Sequence, residues 1–375
     1  MKDPTDLKLF IPGPTHVRRR ILEAQSVPMI GHRSPFMKQL LADVLPGVRS
    51  AFGTEGSVVV LSSSSTGSME AVSRSVVRPG KRALHLVNGN FSDLWRKLSL
   101  AVGLDVLVAE LPWGQGWHEA NVAEALAQHG PVDAVFVAHC ETSTGALSDI
   151  AGVARAVRAG CPEALVCVDV TSSAAGTEID FDARDLDVAV GGVQKAWALP
   201  AALALAAVSP RALARMAEVP HRGYTNDLAS ALEYQDNKGM TSTTPAIPVI
   251  QALRVQLGDI EAAGGFAARF DTHRAMQSQV LEWAAARGFG VLARDGFRSP
   301  TVTSIDAKGR FKMEDLVAGY REAGYFITGG YGKTKPTHWR IGHMGDHTPT
   351  CVGEVLALTD TILAAIGCAA APAGA

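Results

Sequence analysis

Short apolar runs of strand length recur along the first 210 residues, and a helix-length segment separates each from the next. Residues 57–62, 82–87, 105–109, 132–138, 164–170, 188–190 and 202–208 read as strands. Between them, 36–45, 66–77, 91–102, 119–128 and 150–159 carry apolar residues at helical spacing. Strands joined by crossover helices imply a mostly parallel sheet covered on both faces, an α/β class of fold. After about residue 210 the pattern changes. Helices are expected at 245–262, 264–287, 313–322 and 351–365, with short strands at 301–305, 325–328 and 338–341. The division expected is an extended Pro-Gly arm (1–20), a large domain (21–255) and a smaller α+β domain (256–375).

The charge balance narrows the partners. Lys+Arg 35 against Asp+Glu 37 gives a net charge of −2, which argues against nucleic acid or an anionic membrane surface. The 5 cysteines contain no CxxC pair and suit a reducing compartment, and the chain reads as cytoplasmic. The N-terminus lacks an apolar signal core, and the greasy run at 196–208 is broken by Pro200. The tail 369–375 is expected to fray.

In a doubly wound sheet, ligands collect at the carboxyl ends of the strands. After 57–61 comes Ser62-Ser-Ser-Ser-Ser-Thr66-Gly67 leading into a helix, a place that suits a phosphate or serves simply as an N-cap. After 132–138 comes His139-Cys-Glu-Thr-Ser-Thr-Gly145. Asp169 closes a fully apolar strand and must find a strong donor or a cation. After 188–190, Gly191-Gly192 is read as a tight turn, followed by Gln194-Lys195. A buried lysine loses proton affinity and becomes an amine nucleophile. A phosphate cradle, a buried anion and such a lysine are together what pyridoxal phosphate (PLP) requires.

At this point the chain resembles the class V aminotransferases of PLP fold type I, in the alanine–glyoxylate / serine–pyruvate branch. The motifs are IPGPT (11–15), GHRSPF (31–36), SSSSTGSMEA (62–71), NGNFSD (88–93), ETSTG (141–145), VDVTSS (168–173), GGVQKA (191–196), TTPAIPVIQAL (243–253), RSPTVT (298–303) and RIGHMG (340–345). The resemblance implies a seven-stranded-type sheet in the large domain. It implies Lys195 as the Schiff-base lysine and Asp169 as partner of the pyridine nitrogen. Ser64, Ser65 and Thr66 would hold the phosphate with Gln194 nearby, Thr142 would support the ring hydroxyl side, and Phe91 would stack on the ring. Arg340 would bind the substrate carboxylate. Thr244 would reach the phosphate of a partner subunit, so a homodimer with shared active sites is implied. The chain departs from the family in having four serines where glycines usually alternate, Thr241 in place of an aromatic, and Leu199-Pro200-Ala201 after the lysine.

The function expected is ping-pong transamination from alanine or serine to glyoxylate or pyruvate. The alternatives are an anionic donor (phosphoserine or aspartate) held by Arg33, Arg222, Lys333 or Lys335, a class V lyase or desulfurase, or a non-catalytic subunit. No metal is expected. Gly329–Thr334 lacks the first glycine of a P-loop, and His343 and His347 lack the HExxH glutamate, so they read as loop histidines with His338. Cys351 reads as a packed cysteine opening the last helix.

Overall fold

The computed structural model of the chain describes residues 6–368; the expected frayed tail at 369–375 lies outside them, as do residues 1–5 of the arm. Seven strands form the central sheet: β1 (Ser57–Leu61), β2 (Arg82–Val87), β3 (Asp105–Glu110), β4 (Ala134–Ala138), β5 (Leu165–Asp169), β6 (Val188–Gly192) and β7 (Ala204–Val208). Their order is β1-β7-β6-β5-β4-β2-β3. Every pairing is parallel except those of β7, which runs antiparallel to both neighbours. The carboxyl ends of β1, β4, β5 and β6 therefore open on one edge. In register, Ala138 pairs with Asp169 and Asp169 with Val190.

The continuous apolar strands are buried on both faces because side chains alternate between two hydrophobic clusters. Val58, Val60, Val135, Val137, Val166, Val168, Ala189 and Leu205 face one, packed under helices Pro35–Phe52 and Ile247–Ala262. Val59, Leu61, Phe136, Cys167, Val188, Val190 and Ala206 face the other, under helix Ser65–Val76. A third cluster joins Met276, Val280 and Trp283 of helix Gly265–Ala286 to Trp339, Ile341, Leu316, Tyr320, Val352 and Val355. It is built around a second, antiparallel sheet of β8 (Gly290–Val291), β9 (Thr303–Asp306), β10 (Thr328–Gly329) and β11 (His338–Ile341), ordered β8-β9-β11-β10.

Several segments differ from expectation. The strand expected at 325–328 divides: Tyr325–Phe326 pairs with Lys8–Leu9 in parallel, while β10 pairs with β11. Helices Pro210–Ala217 and Leu228–Lys238 were not expected, although each opens with a side-chain cap, Ser209 and Asp227. The arm is extended but packed. Phe10 joins the third cluster and stacks on His347, Gly342 N–H donates to Phe10 O (3.0 Å), and Thr15 N–H donates to Gln194 O (2.9 Å). Its backbone groups find partners in the Tyr325–Phe326 strand and in residues just past β11 and β6. No helix among the described residues is long and apolar enough to cross a membrane.

Candidate active site

Lys195 lies just past β6. The strand runs straight through Gly191 and Gly192, so the tight turn expected there does not occur. The missing side chains make room for protein atoms instead. A Cβ on Gly191 would meet the Thr171 backbone at 2.8 Å, and one on Gly192 would meet Ser65 Oγ at 2.2 Å. The turn comes after the lysine: Ala198 N–H donates to Lys195 O (2.8 Å), with Ala198 at φ 55°. Leu199, where the chain leaves its family's pattern, is buried in the first cluster.

The Lys195 side chain is buried. Nζ donates to Thr142 Oγ1 (2.9 Å) and Ser172 Oγ (2.7 Å), and it sits 5.1 Å from the centroid of the Phe91 ring. Burial pulls its pKa down to about 8, against the opposing pull of Asp169. Asp169, at the end of β5, is 6% exposed, accepts the Thr171 N–H (2.8 Å) and makes no ion pair among the described residues. Burial pushes its carboxyl above the usual range.

At the end of β1, Ser64 caps helix Ser65–Val76 by accepting the Gly67 N–H (3.0 Å). The four serines need no left-handed backbone, because none has a positive φ. The glycine-poor loop thus forms without strain. The first N–H groups of the helix lack intrahelical acceptors and, with its dipole, favour an anion. Ser65 Oγ accepts from Gln194 Nε2 (3.0 Å), which ties this helix start to the lysine loop. Ser64 and Thr66 are exposed at the same end.

A cavity of about 1130 Å³ opens over the lysine, and Phe91, Thr142, Gln194, Lys195 and Arg340 line it. Arg340, on β11, is 7% exposed and among the described residues donates only to the Thr142 carbonyl (3.3 Å) and, at 3.5 Å, to Gly329 O and Thr328 Oγ1. Burial lowers its pKa to about 10, and no carboxylate pairs with it among the described residues. A buried guanidinium in that state is poised for a carboxylate ligand.

Sequence reasoning missed three contributors. Ser172 shares the amine with Thr142, and their hydroxyls are themselves in contact. Glu141, fully buried, accepts from the N–H groups of Phe91 (3.0 Å), Ser92 (2.9 Å) and Ser143 (3.0 Å). It thereby fixes the helix start that carries Phe91. Tyr331 lies 5.3 Å from the Phe91 ring centroid. The ETSTG and VDVTSS motifs contained the first two, but not which hydroxyl or carboxylate turns inward.

Other expected groups lie elsewhere. Thr244 is exposed and does not line this cavity. Arg33 is spent on the carbonyls of Thr241 and Ser242, and Arg222 on Asp227 (3.0 Å). Lys333 lies over the Trp113 ring, whereas Lys335 lines the cavity. Cys351 packs half-buried against the third cluster, away from the amine. His343 is hydrogen-bonded to Thr303 and Pro300, and His347 to Leu9. The described residues contain no group able to hold a metal ion.

A depressed amine, a buried carboxylate without a cation, an anion-favouring helix start and an unpaired arginine fit PLP in its charge and hydrogen-bonding needs. The family model "Aminotransferase class-V" matches residues 22–345. The chain is similar to an L-aspartate–glyoxylate aminotransferase of Paracoccus denitrificans, 32% identical over 96% of this chain and 91% of that protein. It is also similar to a serine–glyoxylate aminotransferase of Methylorubrum extorquens, 31% identical over 90% of this chain and 86% of that one. Among solved structures, an aspartate aminotransferase of subgroup IV from Thermus thermophilus superposes with a TM-score of 0.87 at 29% identity, covering 96% of this chain and 99% of that one. With the sheet order, the site and these relatives in agreement, the chain belongs to the class V aminotransferases and is a PLP-dependent transaminase of PLP fold type I.

Proposed function

We propose that this transaminase moves an amino group from a small amino acid, alanine or serine, to glyoxylate or pyruvate, using Lys195 as its cofactor lysine. The observation that carries the reading is the placement of the Lys195 amine between the hydroxyls of Thr142 and Ser172, in a cavity that also holds Arg340. PLP, when bound, supplies an aldehyde and an electron sink. Lys195 Nζ would hold that aldehyde and, when free, would carry the proton of the substrate Cα. Burial, which lowers the pKa of this amine to about 8, brings it towards the range a proton-transfer group needs near neutral pH. Asp169 would hold the ring-nitrogen proton, Ser65, Thr66 and Gln194 would hold the phosphate with Ser64 capping the helix start, and Phe91 would lie against the ring. Arg340 binds the carboxylate with its planar fork.

A second reading, an anionic donor such as aspartate, is favoured by Lys335 and Arg321. Both line the cavity without an ion-pair partner among the described residues. The name of the Paracoccus relative supports the same donor. Thr244, exposed outside its own cavity, supports a homodimer in which it serves the partner's phosphate, and the free cysteines support a cytoplasmic setting.

The test is the visible spectrum of the purified protein, followed by addition of alanine, serine or aspartate without an acceptor. Loss of the cofactor band with one donor identifies it, and Lys335→Ala should impair aspartate alone. A protein that binds no PLP, or a Lys195→Ala spectrum identical to wild type, defeats the assignment of Lys195.

A further inference from the structure

Behind the site, three loops meet at one side chain. Arg269, on helix Gly265–Ala286, is buried, with its side chain 12% exposed. Its Nη2 donates to the carbonyl of Ala196, the residue after Lys195 (2.6 Å). Its Nε donates to the carbonyl of Ala175 (3.0 Å), in the loop that begins at Asp169 and carries Ser172. Its Nη1 pairs with Asp346 Oδ1 (3.1 Å), in the loop that leaves Arg340. One planar guanidinium therefore joins the segments bearing the amine, the carboxylate with its serine, and the carboxylate-binding arginine.

The surroundings are built for this. Ala175 has φ 64°, a left-handed conformation that a non-glycine residue keeps only where its neighbours hold it, and its carbonyl is one that Arg269 captures. Beside it, a Cβ on Gly176 would stand 2.9 Å from Ala196 Cβ, so the two loops are already in contact. One turn along the helix, His273 accepts the Gly345 N–H at Nε2 (3.1 Å) and contacts the Arg269 carbonyl at Nδ1 (2.7 Å). Burial holds it neutral. Asp346 also accepts from Gln256 Nε2 at the same Oδ1 (2.7 Å) and from Arg18 at Oδ2.

We propose that Arg269 is a positioning residue for transamination, locking the Lys195, Ser172 and Arg340 loops in one register so that amine and substrate carboxylate are held together. This rests on the reading of Lys195 as the cofactor lysine. Lysine at this position keeps the charge but cannot span three acceptors. Small misplacements of reacting groups are costly, on the order of 10- to 100-fold in rate.

The experiment compares the PLP-loaded wild type with Arg269→Lys, Asp346→Asn and Arg18→Met. Three readouts are followed: kcat, KM for the donor, and the pH midpoint of the cofactor absorbance. The charged or titratable groups acting on the Lys195 amine are Asp169, Cys140, Arg340 and Glu141, and none is changed. Arg269→Lys is expected to lower kcat by about 10-fold or more and to move the absorbance midpoint by about 0.5 pH unit or more. Asp346→Asn should raise KM chiefly, because it frees the Arg340 loop while leaving the bonds to Ala175 and Ala196. Arg18→Met removes another partner of Asp346 and should reproduce neither effect. The proposal is overturned if Arg269→Lys matches wild type in all three readouts, or if Arg18→Met gives the same shifts at equal thermal stability. Should Arg269→Lys not fold, an unchanged KM in Asp346→Asn overturns it. A wild type without cofactor absorbance defeats instead the underlying reading of Lys195.

Discussion

A Cβ placed on Gly13 would stand 2.8 Å from Cγ of Lys195 and 3.0 Å from its Cε. The arm thus forms one wall of the channel in which the lysine stem lies, and at φ 113° Gly13 holds a conformation that an L side chain rarely adopts. Gly13→Ala is expected to push the stem aside. The amine would lose its register with Thr142 and Ser172, and kcat should fall by about 10- to 100-fold. Steady-state kinetics together with the cofactor absorbance check this. Unchanged values in a folded variant would contradict the wall.

A second expectation concerns pH. The Lys195 pKa falls from its ordinary 10.5 to about 8 in the fold, so below pH 8 the protein carries a buried ammonium at a cost. The unfolded chain keeps its proton until about 10.5, so between those values the folded state binds fewer protons and stability rises with pH. In the cofactor-free protein, Lys195→Met should therefore be more stable than wild type at pH 7, by up to about 3 kcal/mol. The gap should close as pH rises from 8 towards 10.5. Urea titrations at several pH values measure it, and a gap that widens over that interval would contradict the assignment.

The large sheet was legible because its strands are unbroken apolar runs buried on two faces, and a run such as 164–170 has few other fates. The lysine and aspartate were legible for the same reason, as polar residues at the ends of apolar strands. What stayed hidden depends on side-chain direction or on contacts distant in sequence. The arm's role needed the pairing of Lys8 with Tyr325, and that of Arg269 its contacts with Ala175, Ala196 and Asp346. The four-serine loop departs from the family's alternating glycines without needing their backbone freedom. Ser64 satisfies the helix start without any left-handed residue, and Gly192 leaves room for Ser65 Oγ.

Glu141 gives a third prediction. Its carboxylate accepts from the backbone of Phe91, Ser92 and Ser143 and from the hydroxyls of Ser92 (3.0 Å) and Ser143 (2.6 Å). All of these are donors. Glutamine keeps the shape but turns one oxygen into an NH₂ group that faces them, leaving buried donors unsatisfied. Glu141→Gln should cost about 1–3 kcal/mol of stability and loosen Phe91 over the amine. Thermal denaturation and PLP affinity should both decline; a loss of stability with unchanged PLP affinity would mean that Phe91 does not cover the cofactor.

The last prediction separates Arg340 from an ordinary structural arginine. A structural arginine this deep would be paired, because a lone buried charge is expensive. Among the described residues, Arg340 has only weakly placed carbonyl and hydroxyl acceptors, at 3.3–3.5 Å, and the Tyr331 ring at 5.3 Å. If its charge is kept for a substrate carboxylate, removing it should relieve the protein while harming the reaction. Arg340→Met is therefore expected to match or exceed wild-type thermal stability, and kcat/KM for the amino donor should drop by about 100-fold or more. Arg340→Lys keeps a point charge but loses the bidentate fork, so its kcat/KM should fall between the two. Donors and keto-acid acceptors should suffer alike, since both present a carboxylate to the same place. A variant that loses stability but keeps kcat/KM would show that the guanidinium serves the fold, and the carboxylate would then have to be met by Lys335 or Arg321 across the cavity.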